Sequence, residues 1–441
     1  MKLILIYATI VFFVGFILFM PDVNSNFLID STFIFTILFT SYNIFRDGQP
    51  SFSLGQIFNI FSLFFLGIAP WLQFKYNTLF WGADHILEYS YLSTNFLVIL
   101  LVLLFNIVYR HTNLQYEQFL HGDNSCIEQD DFIISKKQTY LLVAVSFVVF
   151  LFVFYINNFS VLLLFFRGVI GEQRQSTSQV MGLLTSFFIR PIPIIIFIYY
   201  TFNSQKRRLF EVILFMIAFF TLAPTAVARF QAAALYMPIA LIMVPMLRRN
   251  FNFSLALILG LLVVFPLLNS FRSFENSDNI KLGLDFSMFL EGHFDAYQNF
   301  MTAISTDYIS YGRQLLGTLL FFLPRSIWPD KPVGSGYQMA EDLDFTFNNI
   351  SMPYLAEGYV NFGLIGSVVF VVIMAFVVKR LDISYWQRSN NSVRYKIQYL
   401  ILLGMLFFML RGDMMSSFSF TLGMLSSVYA VSLLVKQKEI V

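Results

Sequence analysis

Charge is scarce in this sequence. Asp, Glu, Lys and Arg together make up 12% of 441 residues, about half the share found in soluble domains. A soluble fold could not hide the surface of a chain that is 57% hydrophobic, which excludes the ordinary water-soluble enzyme or binding module. Cysteine occurs once, as Cys126, so no intrachain disulfide can form. With no CxxC or Cys/His cluster, structural zinc is not expected either. The net charge of +2 says little about partners, and no nucleic-acid partner is expected.

What is abundant is apolar sequence in runs of roughly 17 to 25 residues, each long enough to cross a bilayer. Mean hydropathy is +0.70. Backbone polar groups must be satisfied internally in lipid, and the runs lack period-2 alternation, so they read as helices and the class as all-α. Met1 to Met20 has no small-residue cleavage site and reads as a retained first helix. About twelve spans are expected, near 3–20, 27–45, 51–72, 89–109, 139–160, 181–201, 209–226, 232–247, 252–270, 360–378, 397–410 and 416–434.

Loops rich in Lys and Arg face the cytoplasm. Residues 203–208, 248–249 and 379–396 are such loops, and both termini fall on the same side. The polar segment 110–138 reads as a solvated cytoplasmic connector. The chain thus divides into nine helices over 1–270, an extracytoplasmic loop over 271–359 and three helices over 360–441. The loop mixes aromatic and apolar residues, as in His293 to Tyr297, and is expected to pack. Its stretch Leu315 to Leu323 is too short to span and suits an interfacial or re-entrant helix.

By this topology, basic residues outside the cytoplasm are mostly arginine: Arg167, Arg174, Arg190, Arg229, Arg272, Arg313, Arg325 and Arg411, against Lys75, Lys281 and Lys331. Positive charge retained outside opposes insertion. Arginine's planar fork grips phosphate oxygens in pairs, so an arginine-biased outer face points to a phosphate-bearing ligand. The plainer reading, that each snorkels or pairs with a nearby acid, carries equal weight for any one of them. Arg229 at the outer end of the seventh span, Arg411 beside Asp413 in a tight turn and, above all, Arg190 are harder to dismiss. Arg190 lies ~13 Å into its span, ahead of Pro191 and Pro193, and must face a polar partner.

Gly312-Arg313-Gln314-Leu315-Leu316-Gly317, Leu323-Pro324-Arg325-Ser326-Ile327-Trp328-Pro329-Asp330-Lys331-Pro332 and Ala356-Glu357-Gly358-Tyr359-Val360-Asn361-Phe362-Gly363 carry the distinctive text of the chain. It resembles the Wzy-type polymerases of lipid-linked oligosaccharide repeat units, which build O-antigens and capsules. Gly292 to Tyr297 resembles the same family's outer loop. The resemblance implies a membrane-embedded, GT-C-like glycosyltransferase of the bacterial plasma membrane. Its active site would face the periplasm or cell exterior, and its substrate would be an oligosaccharide on undecaprenyl diphosphate. A flippase and a chain-length regulator are the implied partners. Family members carry an Arg-x10-Gly spacing in each of two outer loops; here Arg272 with Gly283 and Arg325 with Gly336 fit it within one loop.

The implied reaction needs groups that neutralise a departing diphosphate, a base and a surface that positions sugars. Arg190, Arg229, Arg272, Arg313, Arg325 and Arg411 are the candidate diphosphate contacts, and His293, Asp295 and Glu357 the candidate bases. Tyr359, with Trp328 and Tyr337, is a candidate for stacking on sugar, although interfacial aromatics are more often anchors. Catalysis without metal or cofactor is expected, since arginine can supply the positive charge. A lipid-linked-oligosaccharide flippase or transporter, and an O-antigen ligase acting on finished glycan, stay open as alternatives.

Overall fold

A computed structural model describes residues 24–46, 48–81, 88–111, 132–166, 179–264, 286–387 and 392–435, with isolated positions between 7 and 15. Among the described residues all regular structure is helical and none is strand. Eight helices among the described residues are long and apolar enough to cross a membrane. The chain is therefore an all-helical polytopic membrane protein.

The first four of these helices, α1 (Phe27–Phe45), α2 (Leu54–Lys75), α3 (Glu88–His111) and α4 (Lys136–Ile156), match expected spans closely. The fifth, α5 (Met181–Thr201), is broken by a π-helical turn at Thr185–Ile189 ahead of the two prolines. Shorter apolar helices then stand where three further spans are expected: α6 (Arg208–Thr221), α7 (Arg229–Met243) and, unnumbered, Asn252–Val263. The first expected span and most of the 110–138 connector lie outside the described residues.

The segment between the two groups of long helices supplies α8 (Ala296–Ser305), α9 (Arg313–Leu319) and α10 (Ser335–Asp342). The last three long helices are α11 (Tyr354–Gln387), α12 (Val393–Arg411) and α13 (Met414–Leu434). Of these, α12 and α13 match expected spans, whereas α11 is broken at Phe362 and Gly363, inside the expected span 360–378, and its longer part runs past the end of that span to Gln387.

Helix ends follow local chemistry. The Asn26 side chain accepts from the Leu28 and Ile29 N–H groups at the start of α1, and Ser135 with Gln138 forms a reciprocal capping box at the start of α4. The chain gathers into two units. The first comprises Met1–Leu120, Asp285–Asp382 and Leu406–Ser419, the second His121–Leu284, Ile383–Met405 and Phe420–Val441.

In the first unit, apolar helices are joined by polar side chains that find one another inside the fold, where a polar group left unpaired would be costly. Asn59 of α2 and Asn106 of α3 exchange amide hydrogen bonds of 3.2 and 3.1 Å. Asp382 of α11 accepts from the Leu54 and Gly55 N–H groups at 2.9 and 3.2 Å, capping α2, and from the Tyr109 hydroxyl at 2.6 Å. The segment from Phe286 to Phe300 docks on the same helices. Tyr297, fully buried, donates to Asn95 Oδ1 of α3 at 2.5 Å, and Gln73 at the end of α2 donates to the Phe289 and Phe294 carbonyls. Phe289, Phe294 and Tyr297 of the expected loop are thus buried, while its residues 271–285 lie outside the described residues.

In the second unit, the π turn and prolines of α5 disturb its backbone hydrogen bonding, and neighbouring side chains supply replacement donors. Gln231 Nε2 donates to the Ser186 carbonyl at 2.6 Å and Ser427 Oγ to the Phe188 carbonyl at 2.7 Å. Buried Arg190 follows this turn, and its Nε donates to the Thr221 carbonyl at 2.9 Å. One partner of this guanidinium is thus the carbonyl end of α6, where a helix carries partial negative charge.

Candidate functional site

The first unit contains a tight backbone reversal that sets a deeply buried acid. Within α11, Phe362 (φ −145°, ψ 24°) and Gly363 (φ +65°, ψ −154°) leave helical geometry, so residues 354–361 form a short arm against the longer remainder. Gly363 occupies a conformation that a side chain would strain. The arm is held by Ser367 Oγ donating to the Leu355 carbonyl at 3.1 Å and the Tyr354 hydroxyl donating to the Phe370 carbonyl at 3.2 Å. At the crossing, Gly358 and Gly366 meet backbone to backbone; a Cβ on Gly358 would lie 2.7 Å from the Gly366 oxygen.

The Gly312 to Leu315 segment grips the end of this arm. Ser310 N–H donates to the Val360 carbonyl at 2.6 Å, Gly312 N–H to the Asn361 carbonyl at 2.9 Å and Leu315 N–H to Asn361 Oδ1 at 2.8 Å. The arm thereby presents Glu357, which is 1% exposed, to two donors. Its Oε1 accepts from Ser335 Oγ, at the start of α10, and from the Met414 N–H, at the start of α13, at 2.7 Å.

Met414 closes the turn Arg411-Gly412-Asp413-Met414 between α12 and α13. The same turn carries Arg411, whose Nη2 lies 3.6 Å from Asp295 Oδ1. Asp295 is buried and densely contacted: Ser351 Oγ donates to Oδ1 at 2.6 Å, while Ser351 N–H at 3.1 Å and Asn299 Nδ2 at 3.0 Å donate to Oδ2. These hydrogen bonds fix the orientation of the Asp295 side chain, which in turn positions the arginine that faces it. Arg411 keeps 31% of its side chain exposed, and its buried Nε has no hydrogen-bond partner among the described residues. It can therefore offer donors to an anion.

Asp413 packs against Gly334, where a Cβ would lie 2.8 Å from its Oδ1, and is close enough to Glu357 for the two acids to repel. Burial pushes the Asp413 carboxyl above its usual range, while hydrogen bonds from Ser416 and the adjacent backbone pull it back. A raised folded-state value means that the folded protein favours the neutral acid. The associated penalty is absent below the unfolded value and grows as pH rises through the folded one. Asp413→Asn keeps the cap on α13, since asparagine caps as well as aspartate. This variant is expected to match or exceed wild-type thermal stability at neutral pH, with the difference shrinking toward pH ~4. A variant less stable than wild type at neutral pH, and recovering on acidification, contradicts this.

The other candidates have definite places. Tyr359 is buried, its hydroxyl donating to Asp307 Oδ1 at 2.9 Å, so its ring is a packing element rather than an open platform. His293 lies 3.9 Å from Glu291 Oε2. Arg313 Nη2 donates to the Asp330 carbonyl at 3.0 Å, and exposed Arg325 reaches the Pro329 carbonyl at 3.4 Å. Lys331 donates to the Phe321 and Leu323 carbonyls, and burial together with Arg325 pushes its ammonium below its usual range. Arg190 and Arg229 belong to the second unit. Arg167, Arg174, Arg272, Lys281 and Gly283 lie outside the described residues. Gly336, the glycine spaced from Arg325, is required by packing: a Cβ there would lie 2.6 Å from the Ile350 oxygen.

Leu315 to Leu323 forms most of the short helix α9 and the turns after it. Ser335, the Met414 N–H and Asn361 were not visible as site residues in the sequence. A lone serine among many carries no signal, and a backbone donor carries none at all. Protein-family models, curated proteins and solved structures yield no match to the chain.

Proposed function

We propose that this chain is a membrane-embedded glycosyltransferase that polymerises undecaprenyl-diphosphate-linked oligosaccharide repeat units into O-antigen or capsule. The observation that supports this reading is the turn 411–414, which holds a partly exposed arginine beside buried carboxyls: Arg411 on Asp295, and Met414 N–H on Glu357. A hydroxyl of the incoming unit attacks the anomeric carbon of the growing chain. The new glycosidic C–O bond forms as the bond to the diphosphate breaks, and the electron pair leaves with undecaprenyl diphosphate. Glu357 takes the hydroxyl proton, a role worth roughly 10²–10⁴-fold in rate. Arg411 neutralises charge on the departing diphosphate, with Arg313 and Arg325 as further contacts for the lipid-linked substrate.

Asp295 is better suited to orienting Arg411 than to accepting a proton, because its oxygens already hold three hydrogen bonds and an ion pair. In this proposal the protein adopts a GT-C-like arrangement with about twelve crossings in the bacterial plasma membrane. Both termini lie in the cytoplasm and the site opens to the periplasm or exterior, alongside a flippase and a chain-length regulator.

Arg411→Gln is expected to reduce polymerisation by roughly 100-fold while the protein still accumulates in membranes, measured by the glycan ladder on gels against immunoblotted protein. An undiminished ladder removes Arg411 from the site. Because arginines supply the positive charge, polymerisation by the purified protein is expected to persist in excess chelator; a strict requirement for added divalent cation overturns that part of the proposal.

A further inference from the structure

The helix α9 is too short to span, yet one of its faces is apolar and unburied. Its buried residues are Gln314, Gly317 and Thr318. Gly317 sits against Pro332 and Met415, and a Cβ there would lie 2.9 Å from the Met415 Cε. Phe321, in the turns that follow, meets Phe418 edge to face at 6.3 Å. Met415 and Phe418 belong to the start of α13, and the start of α9 is bonded to Asn361 at the break in α11. The element therefore lies across the start of α13 and of the longer part of α11, the level at which spanning helices meet the bilayer interface. At 100° per residue, Leu316 and Leu319 fall on the side of α9 opposite this packing. Both are exposed, as are Phe322 at 65% and Ile327 at 70% in the turns beyond.

The same segment carries Arg313, Arg325 and Lys331 against a single acid, Asp330. Arg313 Nη2 donates to the Asp330 carbonyl at 3.0 Å and Arg325 Nη1 to the carbonyl of the preceding residue, Pro329, at 3.4 Å. Lys331 follows directly, its Nζ donating to the Leu323 carbonyl at 3.0 Å and to the Phe321 carbonyl. Backbone carbonyls thus hold all three cations around one turn. No carboxylate does: among the described residues, which run without a break from Phe286 to Gln387, none of the three is ion-paired, and the other nitrogens of the two guanidinium forks make no hydrogen bond. Exposed apolar side chains flanked by cations with donors to spare are complementary to one surface in particular, acyl chains capped by negatively charged phosphates.

We propose that α9 and the turns up to Lys331 form an interfacial docking surface for anionic phospholipid, in which Leu316, Leu319, Phe322 and Ile327 enter the acyl region while Arg313, Arg325 and Lys331 take headgroup phosphates. The surface does not depend on the proposed reaction, and its test uses no oligosaccharide.

The test removes the one native thiol with Cys126→Ser and places a bimane label at Phe322→Cys in the full chain, reconstituted in phosphatidylcholine vesicles containing a small fraction of phosphatidylglycerol. Nitroxide carried on lipid is expected to quench the label, and aqueous iodide is not. At equal mole fraction, nitroxide on phosphatidylglycerol should quench roughly fivefold more effectively than nitroxide on phosphatidylcholine, the enrichment that one interfacial cation supplies, and less so at high salt. In Arg313→Gln/Arg325→Gln/Lys331→Gln that preference should vanish. If the triple variant does not fold, Arg325→Gln alone, which gives up only the 3.4 Å bond to Pro329, should weaken it. Quenching by iodide and not by lipid, or shielding from both as a protein contact would give, overturns the docking surface. Equal quenching by the two lipids in the wild-type background, or a preference unchanged in the variant that folds, overturns its assignment to anionic lipid.

Discussion

Glutamine in place of Glu357 is expected to lower glycan polymerisation roughly 100-fold or more, the contribution of a general base, while leaving the protein folded in the membrane. Glutamine keeps an amide oxygen that can accept from Ser335 Oγ and the Met414 N–H. The substitution therefore removes proton affinity and charge with little change in shape. Ser335→Ala is the companion variant. It removes one donor to the same oxygen and should reduce the rate less than Glu357→Gln does. Surface glycan profiles normalised to membrane protein give the comparison, and normal chain length in Glu357→Gln would exclude this acid as the base.

Gly366→Ala should be still more damaging, at the level of folding. Its Cβ would overlap the Gly358 carbonyl oxygen and lie 2.8 Å from Phe362 Cβ. Relief requires opening the arm that carries Glu357, so the cost should reach or exceed the ~1–3 kcal/mol typical of overpacking. Gly260→Ala is the control: nothing lies within 4 Å of the new methyl. In size-exclusion profiles of detergent extracts, Gly366→Ala should lose its monodisperse peak and Gly260→Ala should keep it. A well-folded Gly366→Ala protein would show that the backbone crossing is not required.

Gly358 and Gly366 mark the limit of what is legible in the sequence. Hydropathy locates most long helices because lipid forces each apolar run to satisfy its own backbone. It reads poorly where a run is shortened: Arg208–Thr221 and Arg229–Met243 are flanked by turns that a sliding average blurs into the spans. The reversal at Phe362 and Gly363 lies inside a largely apolar stretch, and only the glycines at 358, 363 and 366 hint that backbone approaches backbone there.

At the candidate site, Glu357, Asp295 and Arg411 are nameable from residue type and the expected side of the membrane. Their arrangement is not. Asp295 and Arg411 are far apart in sequence, and their pairing depends on Ser351 and Asn299 holding the carboxylate. Arg190 is expected to need a polar partner, and one that it finds, the carbonyl at the end of a neighbouring helix, is a matter of packing that no local pattern encodes.

Whether the chain joins lipid-linked repeat units outside the cytoplasm is tested most directly by surface glycan from a strain lacking the protein, displayed on a gel, with complementation by the wild type and by Glu357→Gln. The prediction is a surface band of single repeats in the deletion strain, a restored ladder with the wild type and no ladder with Glu357→Gln. Accumulation of repeat units inside the cell with none at the surface would contradict polymerisation and point to translocation, and a ladder that survives deletion would remove the chain from glycan assembly altogether.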